Sequence, residues 1–409
     1  MQEVFLEMVT SQNNNKYYHM IERGDGMFDA LYGRIGSTEA HASYSMSQWD
    51  KKYKEKVRKG YVDTTHLREK KQVHGQPDEY KPIPDEGIRA LIEMLRNAAA
   101  DTVKANYRIA ASEVSKAMIR EAQDVIDSLM SSRTISDFNN DLLQLFTVLP
   151  RKMNFVPDYL LSRDTPGERE KIIAREQRLL DVMSSQVKDD IPANASASAP
   201  LHDMTILEAF RLKLEPATDD QDIALIKKEL GECASMFYKA WRVTNEETEA
   251  AFQAHVKKAK ITKRKRKLFW HGSRTENWWG ILRTGLRLRP TNVITNGKMF
   301  GMGTYFAPKA RKSVGYTSLS GSYWARGDSR YGFLALFDTA YGTPWVPAGR
   351  ETSFGGMNYE RLQKECPGAD CLHAKAGTSY NGGVPLRNDE IIFYKECQMT
   401  IRYLVELKK

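Results

Sequence analysis

Cysteine is scarce in this sequence: four in 409 residues, at positions 233, 366, 371 and 397. So few, so irregularly spaced, they exclude a disulfide framework and a paired-CxxC zinc module, and reduced thiols are expected. No apolar run approaches the roughly 20 residues that a bilayer helix requires, so no membrane partner is expected. The opening MQEVFLEMVT puts Glu3 and Glu7 where a signal peptide would carry a basic start and an unbroken apolar stretch. An intracellular protein is expected, nuclear in a eukaryotic host and cytoplasmic or nucleoid-associated in a bacterial one. A GxGxxG opening a helix after a strand is also missing, so a Rossmann dinucleotide site is not supported. No tandem repeat is visible.

What is present fits a globular chain of two or three domains, with 41% apolar and 28% charged residues. A net charge of +9 favours anionic partners, and it is unevenly distributed. Residues 51–71 hold nine Lys or Arg against three acids, and KRKRK occupies 263–267. Each run by itself is more often a solvated face than a binding site.

The first sixty residues alternate short apolar and aromatic stretches with turn signals at Asn13, Gly24, Gly26, Gly33 and Gly36, which predicts a small antiparallel sheet. The proline cluster QPDEYKPIP at 76–84 reads as a linker. Beyond it the spacing becomes helical, with Ile88, Leu91, Ile92 and Leu95 on one face and Asp85 as N-cap. Helical patterns continue to about 190, and 191–200 (IPANASASAP) reads as a loop. Strand alternation then returns at Phe210, Leu212 and Leu214 and again at Met399, Ile401, Tyr403 and Val405. Between them FLALF at 333–337 has the continuous apolar character of a strand buried on both faces. Helical spacing fills 220–258. Domains are therefore drawn at 1–75, 85–190 and 200–409, with 76–84 between the first two.

Chemistry concentrates in three stretches: LFWHGSRTENWWGILRTGLRLRP at 268–290, MFGMGTYFAPKARKSVGYT at 299–317, and NDEIIFY at 388–394. His271 follows three apolar residues and precedes Gly272, where a ligand can approach the backbone closely. Glu390 leads directly into an apolar strand, and a carboxylate at a strand mouth invites a functional reading. Singly, each has a plain structural alternative: a hydrogen-bonded core histidine, core tyrosines, hairpin glycines, a strand-capping glutamate. Their conjunction argues otherwise.

In that conjunction the sequence resembles the poly(ADP-ribose) polymerases, whose catalytic signature is similar to LFWHGSRTENWWGIL, FGMGTYFA with KSVGY, and NDEIIFY as they stand here. The resemblance implies a triad of His271, Tyr305 and Glu390, with NAD as substrate and no metal. It further implies NAD contacts at His271, Gly272, Ser273, Arg287, Tyr305, Lys312, Ser313 and Tyr316. Gly272 and Ser313 would hold the nicotinamide carboxamide, Tyr305 and Tyr316 would sandwich the ring, and His271 would bond the adenosine ribose. Residues 83–160 resemble the helical regulatory domain of DNA-dependent members. Residues 17–62 resemble the WGR domain, with Tyr32 standing where the motif has tryptophan, before Gly33 and Arg34. The fold class implied is α+β: a small antiparallel WGR-like sheet, an all-helical regulatory domain, and a mixed α+β transferase domain with antiparallel sheets.

The function implied is DNA-break-stimulated transfer of ADP-ribose to protein acceptors, the enzyme included, with chain elongation and an autoinhibitory helical domain. Tyr32, Arg34, Lys51, Lys52 and Lys54 are the expected DNA contacts, and a monomer is expected. The alternatives are a mono-ADP-ribosyltransferase and a non-catalytic DNA-end-binding scaffold, which would need neither His271 nor Glu390.

Overall fold

The computed structural model describes residues 2–68, 80–165, 167–187, 203–288, 299–349, 354, 356–380 and 383–409. The chain divides into two compact units, Met1–His74 with Ala100–Lys188, and Gly75–Ala99 with Asp189–Lys409.

The first unit holds a five-stranded antiparallel sheet of β1 (Glu3–Thr10), β2 (Asn14–Glu22), β3 (Met27–Arg34), β4 (Ala40–Ser45) and β5 (Val62–Asp63), in the order β4-β3-β2-β1-β5. Asn13, at φ 65°, makes the left-handed turn between β1 and β2, a conformation asparagine tolerates better than most residues. Alternation buries Leu6, Tyr18, Met20, Phe28 and Ala30 on one face, closed by Trp49 of α1 (Trp49–Arg58). The helices follow as the periodicity predicts: α2 (Glu86–Asn106), whose residues through Ala99 fall in the second unit, then α3 (Lys116–Ser128), α4 (Ile135–Val148) and α5 (Glu168–Gln186) of the first. Ile88 N donates to Asp85 Oδ1 at 2.8 Å, Ser115 accepts from Met118 N, and Thr134 and Asp137 form a capping box. A buried Arg151–Glu176 ion pair, with the Arg151 Nε donating to the Asn106 carbonyl, links the end of α2 to α5.

The second unit has two sheets. One is antiparallel, in the order β6-β7-β14-β10-β8, from β6 (Leu212–Pro216), β7 (Phe237–Asn245), β8 (Lys267–Ser273), β10 (Tyr331–Thr339) and β14 (Met399–Lys408). The other, in the order β11-β12-β13-β9, uses β9 (Thr304–Phe306), β11 (Pro344–Trp345), β12 (Cys371–Ala374) and β13 (Glu390–Phe393). It is antiparallel except for the β11–β12 pair, which is parallel. Among the described residues its further helices are α6 (Ile206–Ala209), α7 (Asp220–Leu230), α8 (Glu246–Lys258), α9 (Trp278–Thr284), α10 (Ala310–Val314) and α11 (Tyr359–Glu365). The FLALF run is the middle of β10. Phe333, Ala335 and Phe337 enter one core cluster while Leu334 and Leu336 enter another, so the strand is buried on both faces.

Some sequence-level expectations shift. Phe210 closes α6, whose Thr205 and Glu208 form a capping box, and the strand begins only at Leu212. The helical spacing over 220–258 contains β7, hydrogen-bonded between β6 and β14, because a strand paired on both sides buries Ala240, Trp241 and Val243 irrespective of period. The linker expected at 76–84 falls partly outside the described residues; within it Lys81 bridges to Thr205 and Ile83 is buried. The loop expected at 191–200 lies outside them. No described helix is long and apolar enough to cross a membrane.

Candidate active site

The two sheets of the second unit meet where β8 and β9 approach. Trp270 N donates to Ala307 O at 2.9 Å and Ala307 N returns a bond to Trp270 O at 3.0 Å. β9 pairs with β13, Tyr305 lying opposite Ile392. This one seam therefore brings His271 on β8, Tyr305 on β9 and Glu390 at the start of β13 into one neighbourhood, from positions 34 and 85 residues apart in sequence.

His271 Nδ1 lies 3.0 Å from the Tyr305 carbonyl oxygen. A carbonyl only accepts, so Nδ1 carries the proton and Nε2 presents a lone pair. Burial holds the imidazole below the ordinary histidine range, with the bond to the Tyr305 carbonyl opposing, so the neutral ring dominates at neutral pH. Phe306 and Phe337 stand edge-on to it at 5.7 and 6.2 Å. The Tyr305 hydroxyl donates to Gly301 O at 3.0 Å and accepts from Phe300 N at 2.9 Å. Burial raises it well above the usual tyrosine value, so it is a fixed ring rather than an acid.

Gly272 is the closest approach in the site. A Cβ there would stand 2.0 Å from the Ser313 carbonyl oxygen and 2.7 Å from its carbon, so no side chain fits. Ser313, on α10, is buried and donates from Oγ to Trp270 O at 3.1 Å. The neighbouring Lys312 forms an ion pair with Glu390, each side chain 14% exposed. Burial pulls the Lys312 ammonium below the ordinary lysine range, and the Glu390 charge opposes that. Tyr316 follows the helix; burial, and then the Glu390 charge, raise its hydroxyl. A seam that offers a ring nitrogen lone pair, a bare backbone, two tyrosine rings and a carboxylate gripped by an ammonium can orient a planar amide and a polyhydroxylated sugar and place negative charge beside it.

Residues 225–343 match the family model described as the poly(ADP-ribose) polymerase catalytic domain. That span includes His271, Tyr305 and Tyr316 and stops before Glu390. The chain is 30% identical over 175 residues, 42% of its length and 86% of the relative's, to the poly [ADP-ribose] polymerase-like protein 100L of Invertebrate iridescent virus 6. The chain belongs to the poly(ADP-ribose) polymerase family. It is 31% identical over 192 residues to protein 101L of the same virus, covering 46% of this chain and 79% of that one. It is also 24% identical over 360 residues to poly [ADP-ribose] polymerase 1 of Gallus gallus, covering 80% of this chain but only 34% of that one. The protein is thus an NAD+ ADP-ribosyltransferase, with NAD as its substrate.

Of the residues read from the sequence, the seam of this transferase gathers His271, Gly272, Tyr305, Lys312, Ser313, Tyr316 and Glu390. Ser273 ends β8 and accepts from Asn277 Nδ2 at 2.9 Å. Arg287 stands apart: it pairs with Glu396 at 2.9 Å and lines a cavity of about 90 Å³ with Thr248, Gly285 and Phe337. Among the described residues no group of three or more His, Cys, Asp or Glu is placed to hold a metal ion.

In the N-terminal unit Tyr32 stacks on Tyr18 with centroids 5.5 Å apart. Lys51 and Lys54 are exposed on α1, while Lys52 lies over the Tyr44 ring at 4.3 Å. Arg34 is held within its own unit, donating to Asn13 O at 2.7 Å, to Asn13 Oδ1 at 2.8 Å and to Asn154 O at 2.7 Å. The guanidinium thus ties β3 to the 153–154 backbone, a constraint no local motif announces.

Two groups near the transferase seam escaped sequence reading. Asp389, beside Glu390, accepts from Ala376 N at 2.9 Å, His373 Nε2 at 2.7 Å and Lys375 Nζ at 3.2 Å, and His373 Nδ1 meets the Tyr341 hydroxyl at 2.6 Å. The other is the loop of Tyr323 and Trp324, whose two exposed aromatics in the Gly- and Ser-rich SGSYWARGDS were the available signal.

Proposed function

We propose that this enzyme is a DNA-break-stimulated poly(ADP-ribose) polymerase that transfers ADP-ribose from NAD to protein acceptors, itself included, and elongates the chain. The observation that supports this most is the meeting of His271, Tyr305 and Glu390 at one seam, with Lys312 paired to the glutamate. Gly272 and Ser313 hold the nicotinamide carboxamide, Tyr305 and Tyr316 flank its ring, and His271 Nε2 accepts from an adenosine ribose hydroxyl. Ser273 and Arg287 complete the proposed NAD contacts.

The bond from the ribose C1′ to the nicotinamide nitrogen breaks, its electron pair leaving with the now neutral nicotinamide. The positive charge that develops on the ribose is stabilised by the Glu390 carboxylate, which also orients the ribose hydroxyls. An acceptor oxygen, from a carboxylate, a serine or the hydroxyl of a growing chain, forms the new bond to C1′; a hydroxyl's proton passes to Glu390. Lys312, paired with the carboxylate, keeps it aimed until substrate arrives.

DNA ends dock on the N-terminal unit through Lys51, Lys52 and Lys54 by counterion release, with Tyr32 stacking on a sugar or base and Arg34 beside them. Docking loosens the helices of 85–190 and raises NAD access, a bistable element biased by a partner. The enzyme acts as an intracellular monomer in the DNA damage response, in the nucleus of a eukaryotic host. Transfer of label from adenine-labelled NAD to the protein, with and without short nicked or blunt DNA, tests this reading on a gel. A DNA-dependent high-mass smear is expected, and Glu390→Gln lowers elongation by about 100- to 10,000-fold with NAD binding changed less. A single sharp band would show mono-transfer instead, and a DNA-independent smear would remove the nucleic-acid switch.

A further inference from the structure

Tyr305 and Tyr316 are the two rings assigned to the nicotinamide, yet they are secured in different ways. Tyr305 is held by both bonds of its hydroxyl. Among the described residues the Tyr316 hydroxyl makes no hydrogen bond; its ring is stacked against the Trp324 indole, with centroids 6.1 Å apart and planes at 19°. That separation and tilt lie in the offset-stacked range that aromatic pairs favour.

Trp324 is 59% exposed, an unfavourable place for the largest apolar side chain unless something holds it there. Its loop is tied down on two sides. Trp324 N and Ala325 N both donate to Gly315 O at 2.9 Å, the carbonyl immediately before Tyr316. Arg274, two residues beyond Gly272, donates to Ala325 O. A Cβ on Gly315 would meet Trp324 Cδ1 at 3.1 Å, so the glycine admits the indole edge against the backbone. Arg326 adopts φ 49°, a left-handed conformation for a long side chain, and Ser322 closes the turn by accepting from Gly327 N at 2.8 Å. A loop held under local strain and bonded to both flanks of the seam has one evident product, an indole lying parallel to Tyr316. The indole thus covers one face of the phenol ring.

We propose that Trp324 is a positioning residue for NAD, its indole holding the Tyr316 ring in the plane that stacks on nicotinamide. The proposal rests on the assignment of Tyr316 to the nicotinamide ring. The test is steady-state kinetics on the full chain, measuring KM for NAD, kcat, and the inhibition constant of nicotinamide. Trp324→Ala is expected to raise KM and the nicotinamide constant together by about two- to tenfold, the equivalent of one aromatic pair, with kcat changed less. Trp324→Phe, which keeps a stacking ring, restores both to within about twofold of the parent.

In a Tyr316→Ala background Trp324→Ala should add nothing, since the pair acts as one unit. Unchanged constants in Trp324→Ala, a fall in kcat alone, or additive effects of the two substitutions would overturn the proposal. If Tyr316→Ala itself leaves nicotinamide inhibition intact, the assignment of Tyr316 fails and Trp324 with it. If Tyr316→Ala weakens inhibition while Trp324→Ala does not, only Trp324 is misassigned.

Discussion

At the scale of single residues, His271 shows how burial and one hydrogen bond select a chemical state. The carbonyl of Tyr305 fixes the tautomer and the apolar wall of Phe306 and Phe337 keeps the ring neutral. Its folded-state affinity for protons is below that of the unfolded chain, because burial disfavours the imidazolium. As pH falls below the ordinary histidine value near 6.5, the unfolded chain therefore takes up a proton that the folded enzyme resists, and stability is lost. The thermal midpoint of the parent should accordingly fall more steeply from pH 7 to pH 5 than that of His271→Gln, and kcat/KM should show no inflection at 6.5 from this residue. Parallel midpoint curves for the two proteins would refute this account of His271.

Elements place these residues, and β13 is the one whose fixation matters most. Its first residue is Glu390, and the preceding Asp389 is held by Ala376 N, by the His373 imidazole and by Lys375. Because Asp389 can only accept, His373 donates from Nε2 and receives the Tyr341 hydroxyl at Nδ1, giving a directed chain of bonds that ends beside the proposed catalytic carboxylate. Partial burial raises the Asp389 pKa, but the bonds from Ala376, His373 and Lys375 outweigh it and hold the carboxyl below the usual aspartate range. Asp389→Ala is expected to lower kcat by about tenfold through a loosened strand mouth, while KM for NAD moves less than about twofold. Asp389→Asn, which retains acceptor capacity, should recover part of the loss. A larger change in KM than in kcat would mean that Asp389 serves substrate binding instead.

The whole molecule limits how the proposed autoinhibition can be examined. Ile83, Ile88, Leu91, Ile92 and Leu95 lie in the same core cluster as Trp279, Leu282 and Phe337 of the transferase unit. Deleting 83–190 would therefore strip the transferase of core residues and lose activity for reasons unrelated to inhibition. A substitution inside the first unit avoids this. Leu142→Ala, at a fully buried position of α4, should destabilise the helices by about 2–5 kcal/mol and raise DNA-independent NAD turnover severalfold. Turnover that stays at the parental basal level despite a lowered unfolding midpoint would argue against the helices as a brake.

The seam residues were legible in the sequence because their signals are local. His271-Gly272 after an apolar run, tyrosines and glycines in MFGMGTYFA, and Glu390 ahead of an apolar strand are short patterns whose chemistry does not depend on the rest of the chain. Helix periods, the cap at Asp85 and the two-faced burial of FLALF are legible for the same reason, since 3.6- and 2-residue spacing express burial directly.

Other features depend on chain crossings that no spacing encodes. The strand β7 within a helix-like stretch, the grip of Arg34 on 154, the His373–Asp389 pair and the stack of Trp324 on Tyr316 each join segments brought together only by the finished packing. The sequence by itself determined the family and the reaction class. Tertiary structure alone decided which backbone carbonyl sets the His271 tautomer, which ring stacks on Tyr316, and which part of α2 belongs to the transferase unit. The physical reason is that local patterns report a residue's own burial and conformation, while contact partners far along the chain are chosen by close packing of the whole.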